Sequence, residues 1–420
     1  MKSLERNCPE IDFQRSSSIC IQDPPSLATA AAAQVEVSVV IPCLNEANSI
    51  AICIDKALAA FHQARLSGEV IVADNGSTDG SIEISERHGA RVVHVALRGY
   101  GNALRAGIKA ARGKFIIMGD ADDSYDFSDI PRFVQKWHEG NELVMGNRLC
   151  GEIKNGAMPW HHRYVGTPVM SAIVNLFFGA GIGDVNCGMR GFTKDLYNRL
   201  GLRTGGMEFA SEFVIKAAKA GARTAEIPIT LWPDKRGRPP HLRSFRDGWR
   251  HLRFMLLYAP NWLFLVPGGT LFLLGVALVF WLLPGPRQVG RTVIDVHTML
   301  FGMVFALIGT QTIATGLFAK VYSYTERFSQ NQRSLEGWLK RVKLEAGLVL
   351  GALLTIAGAA GIIWVVSKWV SSGFGPLQEM RAVIFSSLWF LLGLQVIFAS
   401  FFLAMLGISR GTYIGDYESN

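Results

Sequence analysis

The sequence predicts an α/β domain built on a mostly parallel sheet, followed by a domain of four membrane-crossing helices. Two observations carry that prediction. From about 35 to 250, short apolar runs rich in Val and Ile alternate with stretches of helical spacing. Beyond 253, four stretches hold no aspartate, glutamate, lysine or arginine: 254–286, 296–319, 346–367 and 382–409. Each can cross a hydrocarbon core of about 30 Å.

Of the 420 residues 49% are hydrophobic and only 18% charged, which excludes a disordered chain. The net charge of +8 on a membrane protein points to anionic lipid head groups. No helix-turn-helix, zinc knuckle or aromatic-basic RNA signature accompanies it, so no nucleic-acid partner is expected. Cys8, Cys20, Cys43, Cys53, Cys150 and Cys187 all precede the first apolar stretch and form no CxxC pair. Their spacing suggests neither zinc nor a disulfide framework, and a reduced, cytosolic setting follows.

The elements follow in chain order. Residues 1–34 lack an apolar core of about 7–15 residues, which argues against a cleaved signal peptide; a disordered N-terminal extension is expected there. Strands are expected at 35–41, 69–74, 90–96, 114–119 and 142–146, with helices at 47–66, 78–88, 102–112 and 128–140. Near-continuous apolar strands between helices indicate a parallel sheet covered on both faces, and ligands of such sheets sit beyond the carboxyl ends of the strands. Polar clusters fall at those ends: Asn45-Glu46, Asp74-Asn75, Asp120–Asp123 and Asn147-Arg148. The catalytic domain is bounded at 35–234, a basic juxtamembrane segment at 235–258, the membrane domain at 259–409 and a tail at 410–420.

Membrane spans are expected near 261–283, 296–319, 346–367 and 382–407. Segments 235–253 and 320–345 carry thirteen lysines and arginines, against four in the other two connections. Both termini and the catalytic domain are therefore expected in the cytoplasm. Gly302, Gly309 and Gly316 recur every seven residues, and Gly347 and Gly351 form a small-xxx-small pair. Either pattern permits close helix approach, within the chain or in a homo-oligomer; ordinary glycine use explains them equally well. No acidic residue lies in a span, so the spans suit an anchor better than a transporter or a flippase.

Three motifs carry chemistry. Val39–Glu46 is a buried strand ending in a polar turn around Pro42, Asn45 and Glu46. Val72–Gly80 delivers Asp74 to a strand end, where a carboxylate can accept from the imide N–H of uracil or guanine. Gly119-Asp120-Ala121-Asp122-Asp123 follows an apolar strand, and its D-x-D spacing directs two carboxylates toward one hard divalent cation, Mg²⁺ or Mn²⁺. The Gly99–Leu104 stretch has leucine where a dinucleotide fingerprint needs its third glycine, so a loop over the donor is the better reading.

Together these strings resemble the signature set of inverting family-two glycosyltransferases with a GT-A fold, a Rossmann-like domain. Gly99–Leu104, Gly146-Asn147-Arg148 and Asp184–Phe192 are similar to the polyprenyl-phosphate hexosyltransferase branch, the dolichol-phosphate mannose and glucose synthases. The resemblance covers about 35–260. It implies a nucleotide sugar held near Pro42, Asn45, Glu46, Asp74, Gly99, Gly101 and Asp120, and a metal at Asp120 and Asp122. Arg148 and Arg190 are then expected to serve the phosphates and Asp184 to orient acceptor or sugar, so that the catalytic set reads Asp122, Asp184, Arg148 and Arg190. Two positions depart from the family pattern. Ser124 stands where glutamine is frequent, and Cys187-Gly188-Met189-Arg190 stands where Ser-Gly-Phe-Arg is frequent.

The arginine-rich segment before the membrane suits a lipid phosphate, because guanidinium pairs phosphate bidentately; Arg236 and Arg243 are the candidates. The expected reaction moves one hexose from a nucleotide sugar to polyprenyl phosphate. UDP-glucose is favoured, because the Gly-Tyr-Gly and Gly-Asp-Ala-Asp-Asp-Ser-Tyr-Asp strings look more like glucose-transferring members; GDP-mannose is the alternative. A processive polysaccharide synthase would show a Q-x-x-R-W motif, and the nearest string, Gln330–Ser334, lacks the tryptophan. A non-catalytic scaffold would tolerate loss of the acidic pair, which this chain keeps.

Overall fold

The computed structural model describes residues 35–235, 244–325, 344–376 and 378–408. The chain divides into two compact units with the boundary between Leu252 and Arg253. The expectations for 1–34 and 410–420 lie outside the described residues.

The first unit is an α/β domain on a seven-stranded sheet in the order β3-β2-β1-β4-β6-β5-β7. β1 (Val37–Cys43) sits in its middle between β2 (Gly68–Asp74) and β4 (Phe115–Met118), parallel to both. Its apolar run is continuous because both faces are covered; Val37, Val39, Val40 and Ile41 are fully buried. β3 (Arg91–His94) extends the parallel edge. β5 (Leu143–Asn147) and β7 (Thr224–Pro228) pair in parallel, while β6 (Arg190–Thr193) runs antiparallel between β4 and β5.

Five strands occur where the apolar runs predict them. The sequence pattern does not predict β6 and β7. β6 reads Arg-Gly-Phe-Thr and β7 Thr-Ala-Glu-Ile-Pro, and neither has the apolar run or strict alternation that marks a strand. The helices between the first five strands are α1 (Ile50–Gln63), α2 (Ser81–Arg87), α3 (Tyr100–Ala110) and α4 (Ile130–His138). After β5 come α5 (Thr167–Phe178), α6 (Lys194–Leu200) and α7 (Glu208–Lys219).

The second unit holds four helices long and apolar enough to cross a membrane: Asn261–Leu282, Val296–Tyr322, Leu344–Ser371 and Met380–Leu406. All four fall on the expected spans. The glycine patterns are used inside the chain. A Cβ on Gly302 would meet the Gly275 carbonyl at 3.0 Å, and one on Gly309 would meet the Gly268 carbonyl at 2.7 Å, so this stripe seats the second helix on the first. A Cβ on Gly351 would lie 2.9 Å from the Gly393 carbonyl, which puts the Gly347/Gly351 face against the fourth helix. In hydrocarbon, such close approach gains dispersion contacts that larger side chains would block.

Candidate active site

The site assembles at the carboxyl ends of β1, β2, β4 and β5, where the topology brings together segments far apart in sequence. β1 carries Pro42 and ends in a turn made by Asn45, which takes a left-handed φ of 57°. Asn45 N–H donates to the Ser77 hydroxyl at 2.9 Å and its Oδ1 accepts from Thr78 N–H at 2.8 Å. Glu46 is buried, its N–H donating to the Ser81 hydroxyl at 2.9 Å. These bonds lock the first motif to the second.

Asp74, the last residue of β2, is 2% exposed. It accepts from Gly76 N–H at 2.9 Å and from Ser77 N–H at 3.2 Å, so it fixes its own turn. Asn75 fixes the next segment. Its amide donates to the carbonyls of Val95 and Leu97, and its Oδ1 accepts from Gly99 N–H at 2.6 Å. Gly99 leads into α3, whose first turn contains Gly101, and Asn102 N–H donates to the Gly205 carbonyl at 3.1 Å. The Gly99–Leu104 stretch is therefore a helix start packed backbone to backbone on residues 204–206, rather than only a loop over the donor.

Tyr100, between the two glycines, donates its hydroxyl to Asp120 Oδ1 at 3.1 Å. Burial and the neighbouring Asp120 push the Tyr100 phenol well above its ordinary value. Asp122 Oδ1 accepts from the N–H and hydroxyl of Ser124 at 3.1 and 2.6 Å, so the serine standing in place of glutamine orients an acidic-pair member. The segment at 184–190 closes over this loop. Gly188 N–H donates to the Tyr125 hydroxyl at 2.9 Å, and a Cβ on Gly188 would come within 2.7 Å of Asp120 Oδ2. A side chain at 188 would crowd that carboxylate and the Tyr125 ring.

The pair Asp120/Asp122 offers the hard oxygen donors that Mg²⁺ or Mn²⁺ takes, in a cradle that a Gly188 side chain would fill. Among the described residues no three His, Cys, Asp or Glu side chains gather for a metal ion. Such a pair suits Mg²⁺, which is usually bound by one or two carboxylates, with water and substrate phosphates completing its shell.

Asp184 and Arg148 are bonded to each other. Arg148 Nε and Nη2 donate to the two oxygens of Asp184 at 2.7 and 2.8 Å, and Arg148 N–H adds a bond of 3.1 Å. Asp184 is fully buried. Glu226 on β7 accepts from Gly183 and Asp184 N–H and fixes the same turn. Arg190 is fully buried at the start of β6, donating to the carbonyls of Ala210 at 3.0 Å and Cys187 at 2.7 Å. Burial pulls its guanidinium below the ordinary arginine value, although Tyr100, Cys187, Tyr125 and Asp120 all favour its charge. The structure thus gives Asp184 to Arg148 and holds Arg190 on the Ala210 and Cys187 carbonyls. Arg236 and Arg243 lie outside the described residues.

The motif strings contain Asn75, Tyr100 and Tyr125 without giving them a role, and Glu226 stands outside those strings. Tyr100 lies between two candidate glycines, and Asn75 beside Asp74. The partners of Tyr125 and Glu226, Gly188 and Gly183, are distant in the chain.

Residues 38–201 match the family "Glycosyl transferase family 2", and residues 317–407 match "Glycosyltransferase family 2 C-terminal transmembrane region". The low-salt glycan biosynthesis hexosyltransferase Agl6 of Haloferax volcanii is 38% identical over 372 residues, 88% of this chain and 89% of that protein. The chain belongs to glycosyl transferase family 2. Within the family it is also similar to a dolichyl-phosphate hexose transferase of Haloferax volcanii, 30% identical over 161 residues, 38% of this chain and 68% of that protein. Glucosyl-3-phosphoglycerate synthase from Mycobacterium tuberculosis superposes with a TM-score of 0.43 at 22% identity, covering 55% of this chain and 82% of that one. The family 2 chain described here is a membrane glycosyltransferase with a GT-A-like domain, consistent with the polyprenyl-phosphate hexosyltransferase branch.

Proposed function

We propose that this protein transfers one hexose from a nucleotide sugar, UDP-glucose by preference, to a polyprenyl phosphate with inversion at the anomeric carbon. The observation that carries the proposal is the acidic pair Asp120/Asp122 at the carboxyl end of β4, in a family 2 domain on the same chain as four apolar membrane-length helices. The named relatives, a hexosyltransferase and a dolichyl-phosphate hexose transferase, support a lipid acceptor. The membrane unit also holds an open groove of about 560 Å³, lined mainly by apolar residues such as Leu307, Phe318, Leu394 and Phe398 together with Gln311 and Gln395.

The chain has little chemistry to perform. A phosphate monoester has a second pKa near 6, so at neutral pH the acceptor is largely a dianion and attacks the sugar without a base. The pairing of Asp184 with Arg148 agrees with that economy. Asp120 and Asp122 would hold Mg²⁺ or Mn²⁺, which supplies charge neutralisation to the departing nucleoside diphosphate. Tyr100 and Ser124 hold the two carboxylates in place. The charge of the buried Arg190 is favoured by Asp120 and would in turn steady that carboxylate. The basic segment around Arg236 and Arg243 would meet the lipid phosphate from the cytoplasmic side.

The test is transfer in detergent with Mg²⁺ or Mn²⁺, a polyprenyl phosphate and labelled UDP- and GDP-sugars, beside the Asp122→Ala variant. A lipid-extractable product with one sugar, absent from the variant, is expected. Nucleotide-sugar binding without any lipid product would overturn the acceptor assignment.

A further inference from the structure

Three carboxylates follow β4 within five residues, Asp120, Asp122 and Asp123, and the third is built into different surroundings. Asp123 is 2% exposed and takes a left-handed φ of 58°, a conformation that L-residues adopt only at a cost. Its two oxygens meet two ammonium groups. Lys56 of α1 reaches Oδ1 at 2.8 Å, and Lys235 reaches Oδ2 at 2.7 Å. Lys56 also lies 3.8 Å from Asp126. Burial opposes its charge, but Asp123 and Asp126 outweigh that and raise its pKa.

Lys235 belongs to a strap that runs along the acidic loop. Leu231 forms an antiparallel bridge with Tyr125, Trp232 N–H donates to the Ser124 carbonyl at 2.9 Å, and Lys235 N–H donates to the Asp122 carbonyl at 3.0 Å. The backbone of the acidic loop is therefore held from two sides. One is α1 through Lys56 and the other is the strap through Lys235, and both converge on Asp123.

We propose that Asp123 is a positioning residue for the cation site and not a third ligand: the clamp Lys56–Asp123–Lys235 fixes the turn that presents Asp122. The inference rests on the reading of Asp120/Asp122 as the metal pair. It has a consequence opposite in sign to simple electrostatics. Removing a lysine near a cation site lowers the local positive charge and should tighten cation binding. If the lysines act by positioning, removing one weakens it, as loss of an outer-shell partner does.

The test is Mn²⁺ binding to the purified full chain in detergent, read by the electron paramagnetic resonance of free Mn²⁺, with no sugar or lipid present. Lys235→Met and Lys56→Met should each weaken binding about tenfold. Lys235→Arg, which keeps the ion pair, should stay within about threefold of the parent. In an Asp123→Asn background Lys235→Met should add little, since the clamp is already broken. Unchanged or tighter Mn²⁺ binding by either folded methionine variant would overturn the clamp, as would full additivity with Asp123→Asn. Parent protein that binds no Mn²⁺ would instead overturn the metal reading itself. Thermal melting of each variant identifies any that fails to fold, and the arginine variant then carries the comparison.

Discussion

The Arg148 guanidinium closes on both carboxylate oxygens of Asp184, at 2.7 and 2.8 Å, inside the catalytic domain. Both groups are buried, 9% and 0% exposed, so each is the other's main compensation for lost water. Removing one partner strands a charge, which costs about 3–5 kcal/mol. Asp184→Ala and Arg148→Ala should each lower the melting temperature sharply. The double variant should be less destabilised than the sum of the two. Additive losses in a double-mutant cycle would show that the pair is not coupled.

Tyr100 should affect donor binding without being needed for the fold. Its hydroxyl donates to Asp120 at 3.1 Å, and its pKa lies far above neutrality, so it remains a donor throughout the working range. Tyr100→Phe removes one hydrogen bond to a charged group, worth about 1.5–3 kcal/mol. Isothermal titration with UDP and Mn²⁺ should show affinity reduced by roughly ten- to a hundredfold, as loss of an outer-shell partner does, with a melting temperature lower by a few degrees. Unchanged affinity would detach Tyr100 from the site.

Glu212 gives the catalytic domain an acid-sensitive joint. It is fully buried on α7 and accepts from Thr204 N–H at 2.9 Å, Thr204 hydroxyl at 2.6 Å and Lys216 at 2.7 Å. Burial raises its pKa, but Lys216 and Thr204 outweigh that and hold it below the ordinary 4.5. A depressed folded-state value means stabilisation that is fully present above the unfolded value and lost as pH falls through the folded one. The parent should therefore melt above Glu212→Gln at neutral pH, and the gap should narrow as pH drops below about 4.5. A gap independent of pH would contradict the assignment.

Three cysteines should be inert. Cys43, Cys53 and Cys187 are buried and free, and burial pushes their thiols up to about 11, 12 and 12. Little thiolate exists at neutral pH and reagent has no access. Iodoacetamide followed by peptide mass spectrometry should find these three unmodified in native protein and modified after denaturation. Native labelling of Cys187 would mean that the segment at 184–190 opens.

The membrane unit should tolerate bulk at one glycine and reject it at another. A Cβ added to Gly269 would have nothing within 4 Å, whereas a Cβ on Gly309 would strike the backbone of the first membrane helix. Gly309→Leu should reduce thermostability in detergent markedly, while Gly269→Leu should leave it near the parent value. Equal effects would remove the helix seam from the account.

The reach of the sequence can be followed residue by residue. Val37–Cys43 and Asp120–Asp122 are legible because a buried parallel strand writes itself as an unbroken apolar run and its ligand end as a polar break. The four membrane helices are legible because hydrocarbon excludes charge over a fixed length. β6 and β7 are not, since a four-residue strand opening on arginine and a five-residue strand containing glutamate draw their pairing from neighbours alone.

Fold class and acidic pair are readable along the chain because each rests on local periodicity or on residues close together, and the family is readable as a resemblance of motif strings. Partner choice was decided by tertiary structure. Asp184 finds Arg148 across 36 residues and Asp123 finds Lys56 across 67. The Gly302, Gly309 and Gly316 stripe finds a helix of its own chain. A carboxylate's chemistry depends on what shares its buried surroundings, and those neighbours are chosen by packing of distant segments.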